Sequence, residues 1–337
     1  MSKRMIAARR SRLLLLTGLL AAAAALAACS TGSSGKPHPT VTVTKDPGSS
    51  SHSASAPATP SGPPPTPVHI TAFPGDGTTV GVGMPIIAHF NQKITDAAAF
   101  AKAVTVTVNG QPANGAWYFE YSDPAAGYPM EAHYREQAYW PAHARIHVDF
   151  ATQGVSAGKG LAFDDSLTLD YSTGPANLLT ADDSTHTLTV MSDGQLWGAF
   201  QISLGAPNTP TLRGVKVIME KGADIPMRGP GYYDPHVKFT QRLTYGGEYL
   251  HSAPWNCAPS TGPGCAGPQN NIGRADTSNG CTNLRPADAQ KLYDFLEVGD
   301  VVNYPNASGP KMQMGDGYGD WNVPWGEWQS GGAVATT

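Results

Sequence analysis

Between residues 67 and 174 the chain alternates apolar and polar side chains in short runs. The runs are Val68 to Phe73, Pro85 to Phe90, Val104 to Val108, Trp117 to Phe119, Ala144 to Phe150 and Leu167 to Tyr171. Period-two alternation punctuated by Gly, Pro and Asn predicts strands, and this many in about 100 residues predicts a β-sandwich. The alternation resumes at Thr187 to Met191 and Leu196 to Ile202, on either side of Asp193-Gly194. Asp-Gly between two such runs predicts a two-residue hairpin. Further strands are predicted over 215–219, 238–245, 248–251 and 301–304. A helical period appears at Ala289, Leu292, Tyr293 and Leu296. Pro286 suits the first helical position, Asp288 faces the positive end of the dipole, and Gly299 is the stop. This reading places Cys281 in a turn-like loop after Gly280, just ahead of a helix N-terminus.

The first 66 residues carry a different pattern. Lys3, Arg4, Arg9, Arg10 and Arg12 precede an uncharged apolar run from Leu13 to Ala28 that ends Leu26-Ala27-Ala28-Cys29. A basic start, a short apolar stretch and small residues before the cut describe a secretory signal over residues 1–28. The run is shorter than the ~20 residues of a spanning helix. Its ending looks like a bacterial lipobox, with Cys29 as the lipidated first residue, and Arg9-Arg10 leaves the twin-arginine export route open beside the general one. Residues 29–66 are mostly Ser, Pro, Thr, Gly and Ala, too poor in apolar surface to offset ordering entropy. They predict a tether, and from Ser30 onward it spans about 33 Å as a flexible coil or about 115 Å as extended polyproline II.

Composition narrows the class. Removing the signal leaves 17 basic against 26 acidic side chains, a net charge of −9, and a mildly acidic chain without a basic stripe gives no reason to expect nucleic acid as a partner. Gly and Pro together make up 67 of 337 residues and charged residues only 14%, which fits a β-rich, loop-rich exported protein. Three cysteines remain after Cys29. An odd count in an exported protein suggests one pair and one free thiol.

The chemistry concentrates in Gly247-Glu248-Tyr249-Leu250-His251-Ser252 and, thirty positions after the histidine, Thr277-Ser278-Asn279-Gly280-Cys281-Thr282-Asn283-Leu284. An ordinary thiol is only about 3% thiolate at neutral pH, so a nucleophilic cysteine needs a base or a positive local field. His251 is the candidate base. The pair resembles the signature of the L,D-transpeptidases (the YkuD family), cysteine acyltransferases that cross-link peptidoglycan.

That resemblance implies a mostly β fold: an immunoglobulin-like sandwich over 67–175, a YkuD-type catalytic domain with one or two short helices over 176–305, and a Trp-rich extension over 306–337 packed on the catalytic domain. It implies that Cys281 attacks a peptidoglycan stem tetrapeptide after diaminopimelate, expels D-alanine and hands the acyl group to an amine of a second stem, giving a 3-3 cross-link. His251 would activate the thiol and protonate the leaving amine, with Ser252 orienting the imidazole through its backbone. The backbone amides of Asn279, Gly280 and Cys281 would hold the oxyanion, Tyr233 would add its hydroxyl, and Asn283 would contact the substrate or the loop. Carbapenems would acylate the same thiol. No metal or organic cofactor is expected, and the partners expected are stem peptides and, through the lipid, the outer face of the plasma membrane.

Two features depart from the family pattern. Asn279 stands where the family loop usually has a histidine. The His251-to-Cys281 interval is long, and the added residues hold Cys257 and Cys265 in Gly/Pro/Ser-rich sequence. In an exported protein these two are expected to form a disulfide closing a nine-residue loop, worth about 2.6 kcal/mol in the chain-entropy model, with the loop either bordering the acceptor channel or serving as a stapled surface loop. Rival readings are a zinc site from Cys257, Cys265, Cys281 and His251, and a calcium loop from Asp316, Asp320 and Asn322. At the level of function the rivals are a hydrolase of the same fold with water as acceptor, and a non-catalytic wall-binding lipoprotein.

Overall fold

The computed structural model describes residues 63–122, 127–229 and 231–336. The signal segment, Cys29 and nearly all of the expected tether lie outside the described residues. The first strand begins at Thr66, the last residue of that tether, and pairs in parallel with Leu161–Phe163.

The N-terminal half is a sandwich. One sheet orders Thr79–Val80, Leu167–Thr173, Arg145–Phe150, Val104–Val108 and Gln111–Pro112 side by side. The other orders Ile70–Phe73, Ile86–Phe90, Met130–Glu136 and Gly115–Glu120. Alternate residues of both sheets meet in an aromatic core in which Phe100 packs edge-on against Phe90 at 5.1 Å and Trp117 at 5.0 Å. Phe100 arrives on a helix the periodicity did not reveal, Ala97–Ala103, capped by the Asp96 carboxylate on the Ala99 amide at 3.1 Å. Seven residues are too few to display a period of 3.6.

The second half pairs two sheets. The five-stranded sheet runs Gln195–Gln201, Thr187–Ser192, Asn177–Asp182, Val301–Tyr304 and Gly214–Val217; the four-stranded sheet runs Glu220–Gly229, Tyr232–Arg242, Tyr249–Ser252 and Thr282–Leu284. The Asp193-Gly194 hairpin forms as read, with positive φ at both turn residues (46° and 77°), the geometry of a type I′ turn. The predicted helix is Pro286–Phe295, burying Ala289 and Leu292 in the core shared with Leu250, Leu284 and Val302. The helix ends at Phe295 with Leu296 as its C-cap, earlier than Gly299.

The extension departs from expectation. It packs on the sandwich as well as on the five-stranded sheet of the second half. Trp328 is fully buried, stacks on Tyr118 at 4.8 Å and donates its indole N–H to the Ala116 carbonyl at 2.9 Å. Arg135 lies under Trp321 and Trp328, its guanidinium 4.8 and 4.2 Å from their rings. On the other side Asn322 clamps Val215 through both backbone groups, at 2.9 and 2.7 Å. The tail therefore bridges the two halves.

Candidate active site

Strands Tyr249–Ser252 and Thr282–Leu284 run parallel, with Leu250 opposite Thr282, His251 opposite Asn283 and Ser252 opposite Leu284. Alternation then sorts the side chains. Leu250 and Leu284 enter the core, and the Thr282 hydroxyl shares a 2.7 Å hydrogen bond with that of Tyr304. His251, Cys281 and Asn283 fall on the opposite face and line one cleft of about 310 Å³. The long hairpin Glu220–Gly229 and Tyr232–Arg242 closes it from one side with Met227, Tyr232 and Tyr233, and Trp255 closes it from the other.

The imidazole is held in one tautomer. His251 Nδ1 lies 2.9 Å from the Ser252 carbonyl oxygen, and because a carbonyl can only accept, Nδ1 carries the proton and Nε2 keeps its lone pair. Burial pulls the His251 pKa below the ordinary histidine value. Burial also pushes the Cys281 thiol up to about 12, against the Tyr249 backbone N–H aimed at the sulfur. The thiol is the one free cysteine among the described residues, and its Sγ lies 3.6 Å from the Gly247 carbonyl. The resting pair is thus a neutral thiol and a neutral imidazole that share a cleft. Among the described residues no hydrogen bond joins them.

The loop that carries Cys281 is fixed from below. The Ser278 hydroxyl donates to the Cys281 carbonyl at 2.6 Å and accepts from the Gly280 amide at 3.1 Å. Gly280 therefore cannot serve as a free oxyanion donor, a correction to the expectation that all three amides would. Its own requirement is conformational: φ is 100°, a region that favours glycine. The Asn279 and Cys281 amides make no loop hydrogen bond among the described residues, and Asn279 is exposed where the cleft meets a second one on the Gly247 side, which Met227 and Tyr232 also line. Asn283 is buried, with a side-chain oxygen that has no partner among the described residues. Tyr233 is 56% exposed with Arg228 against its ring.

The helix begins at Pro286, as expected. Strand Thr282–Leu284 separates Cys281 from Pro286 by roughly 10 Å of extended chain, and a helix dipole acts only over its first turn. The thiol receives no help from it. The buried cation near the thiol is Lys216, fully enclosed, paired with the Glu248 carboxylate and 4.0 Å from the Tyr304 ring. Sequence reading passed over Lys216 because a lysine in an alternating strand reads as solvent-facing. It also passed over Tyr232 and Trp255.

Cys257 and Cys265 form a disulfide, so the rival four-ligand zinc set does not exist. The two residues just ahead of the bridge lie against the site. Asn256 accepts from the Thr277 hydroxyl at 3.0 Å and from the Asn271 amide at 2.8 Å, and Trp255 stands 5.9 Å from the His251 ring. The rival calcium ligands also part company: Asp316 caps Gln313, Asp320 turns to His133 and Asn322 to Val215.

Comparison with known proteins fits this geometry. The sequence model of the L,D-transpeptidase catalytic domain matches residues 176–303, and that of a bacterial Ig domain matches residues 40–156. L,D-transpeptidase 1 of Mycobacterium tuberculosis is 30% identical over 240 residues, 68% of this chain and 81% of the relative. The chain belongs to the L,D-transpeptidase family. L,D-transpeptidase 2 of the same species is 33% identical over 282 residues, 80% of this chain. That match spans 64% of the relative, less than two thirds of its length. Among solved structures, an L,D-transpeptidase in complex with imipenem aligns with a TM-score of 0.56 at 27% identity, over 72% of this chain and 100% of that one. One from Mycobacterium smegmatis aligns with a TM-score of 0.54, also at 27% identity, over 72% and 100%. The expected fold class holds: a mostly β chain with an Ig-like domain and an L,D-transpeptidase fold.

Proposed function

We propose that this L,D-transpeptidase family member cross-links peptidoglycan stem peptides through a thioester on Cys281. The observation that carries the reading is one face of a parallel strand pair presenting Cys281, His251 and Asn283 to a single cleft, with the imidazole tautomer fixed by the Ser252 carbonyl. Substrate bound in the cleft brings the scissile carbonyl to Sγ. His251 Nε2 takes the thiol proton as the S–C bond forms, then delivers it to the departing amine of D-alanine as the C–N bond breaks. The side-chain amine of a second stem attacks the thioester, His251 takes its proton, the new amide forms and the thiol is restored. The Asn279 and Cys281 amides are the oxyanion donors in this scheme. Tyr232 and Tyr233 close over the substrate, and the unpartnered Asn283 oxygen accepts from a stem-peptide N–H.

Two clefts meeting at Asn279 support transfer between two substrates over simple hydrolysis. Asn279, in place of the family histidine, offers its backbone here, so His251 alone bears the proton. Lipidation at Cys29 and the 29–66 tether belong to the same proposal: they would hold the enzyme at the outer face of the membrane while letting it reach into the wall. Solved L,D-transpeptidase structures include an imipenem complex and a faropenem-derived adduct, and the Cys281 thiol is expected to open the β-lactam ring of such compounds.

The test is intact-protein mass after incubation with imipenem. One adduct per chain is expected on the native protein, none on Cys281→Ala, and acylation at least 100-fold slower on His251→Ala. A folded protein with a free Cys281 thiol and no adduct would overturn the proposal. Incubation with a stem tetrapeptide and an acceptor then separates a cross-linked dimer from the hydrolysed tripeptide.

A further inference from the structure

In the sandwich, strand Met130–Glu136 splits its side chains by alternation. Met130, Ala132 and Tyr134 enter the sandwich core, and Glu131, His133 and Arg135 take the opposite face. An antiparallel neighbour sets Glu120 directly opposite Glu131, and like charges so placed destabilise a sheet. Solvent does not relieve them. The C-terminal tail covers this face, leaving the side chains of Glu120, Glu131 and His133 only 15%, 6% and 0% exposed. The tail also adds a further acid, Asp320, itself fully buried.

His133 organises the group. Its Nδ1 lies 2.9 Å from Asp320 Oδ1, while its Nε2 has no hydrogen-bond partner among the described residues and lies 3.6 Å from Glu131 Oε1 and 4.0 Å from Glu120 Oε1. One ligand atom from each of Glu120, Glu131 and His133 can be chosen so that all lie within 4.8 Å of one another. Around a zinc-sized ion, tetrahedral nitrogen and oxygen ligands sit about 3.3 Å apart, so sub-ångström to about 1 Å side-chain shifts would close the site. A carboxylate on the distal nitrogen of a ligating histidine is the usual way such a ligand is oriented. Arg135 does not supply the missing charge by contact, since its donors go to the Glu136 and Val323 carbonyls and its face to the tryptophans. The free side of Glu131 is held by His89 at 3.3 Å.

We propose that Glu120, Glu131 and His133 bind one divalent transition-metal ion of the zinc type, with Asp320 as the positioning residue that fixes the His133 tautomer. The donor set, two carboxylates and one imidazole, suits zinc or manganese better than calcium or magnesium. The two charges of the ion balance the two carboxylates. Because Asp320 belongs to the tail and the ligands to the sandwich, the ion fastens the extension across the sheet.

Zinc binding to chelator-dialysed protein tests this, in a Cys281→Ala background so that the thiol is no ligand. One ion per chain is expected, retained in Asp276→Asn, which disables the only other such cluster among the described residues, Asp183, His186 and Asp276. Affinity should drop at least 100-fold in Glu131→Gln and in Glu120→Gln, and zinc should raise the melting temperature of the parent but not of these variants. Cobalt substitution reads the same site without any ligand variant: the parent should show the absorption of a low-coordinate ion with no thiolate band. A cobalt spectrum equal to that of the aqueous ion, or zinc bound with undiminished affinity in Glu120→Gln/Glu131→Gln, would overturn the proposal in favour of a proton-balanced, metal-free cluster.

Discussion

At Cys281 and His251 a single physical cause, exclusion of water, favours the uncharged form of both groups. In the proposed reaction the thiolate is therefore made by transfer to Nε2, and the ionisation that governs the rate is that of the base. A depressed histidine pKa keeps the imidazole neutral to lower pH, so activity present at neutral pH is lost only as pH falls through a value below the ordinary 6.5. The rate of carbapenem acylation should accordingly be flat from pH 7 to 9 and decline in acid. A tenfold rise per pH unit over that span would mean that free thiolate, rather than the pair, is the reactant. Behind the loop, Lys216 and Glu248 form a pair that makes a separate prediction. Lys216→Met alone strands a buried carboxylate and should cost about 3–5 kcal/mol of stability, whereas Lys216→Met/Glu248→Gln keeps the acceptor for the Leu212 amide and should cost much less. Urea unfolding of the native protein, these two variants and Glu248→Gln measures this, and additive losses would show that the two groups are not coupled.

Elements differ in how openly the sequence announces them. Val301–Tyr304 and the Asp193-Gly194 hairpin were legible because turn chemistry and alternation agree locally. Strand Glu220–Gly229 was not, since Gly222 and Pro226 interrupt it. It tolerates Pro226 because it is an edge strand with a register shift between Ile225 and Met227. That interruption matters to function, because this strand and its partner carry Met227, Tyr232 and Tyr233 over the cleft. The 257–265 loop was legible as a disulfide, but the place of Trp255 and Asn256, just ahead of it, beside the site was not. Cys257→Ala/Cys265→Ala should lower stability by about 2–3 kcal/mol and slow acylation several-fold as Trp255 and Asn256 lose their support. Thermal unfolding and adduct kinetics check the two effects, and unchanged kinetics would reduce the loop to a staple.

For the whole molecule, the tail is the structural decision that local pattern could not make. Trp328 joins the sandwich to the far end of the chain, and Trp328→Ala should cost about 3–5 kcal/mol, seen as a lower urea midpoint with the Cys281 thiol still reactive in the folded fraction. A cost near zero would mean that the tail rests on the sheet without holding it. The sequence by itself determined the strand-rich class, the hairpin, the helix and the pairing of a histidine with a cysteine, since each rests on period, turn chemistry or a short motif. Tertiary structure decided the rest. Met130–Glu136 alternates openly, yet only the tail's arrival turns Glu131, His133 and Arg135 from an expected solvent face into a buried one. Only the parallel register of two strands puts His251, Cys281 and Asn283 on one face, and only their burial fixes which groups are charged. Those are properties of what covers a residue, which depends on segments hundreds of positions away.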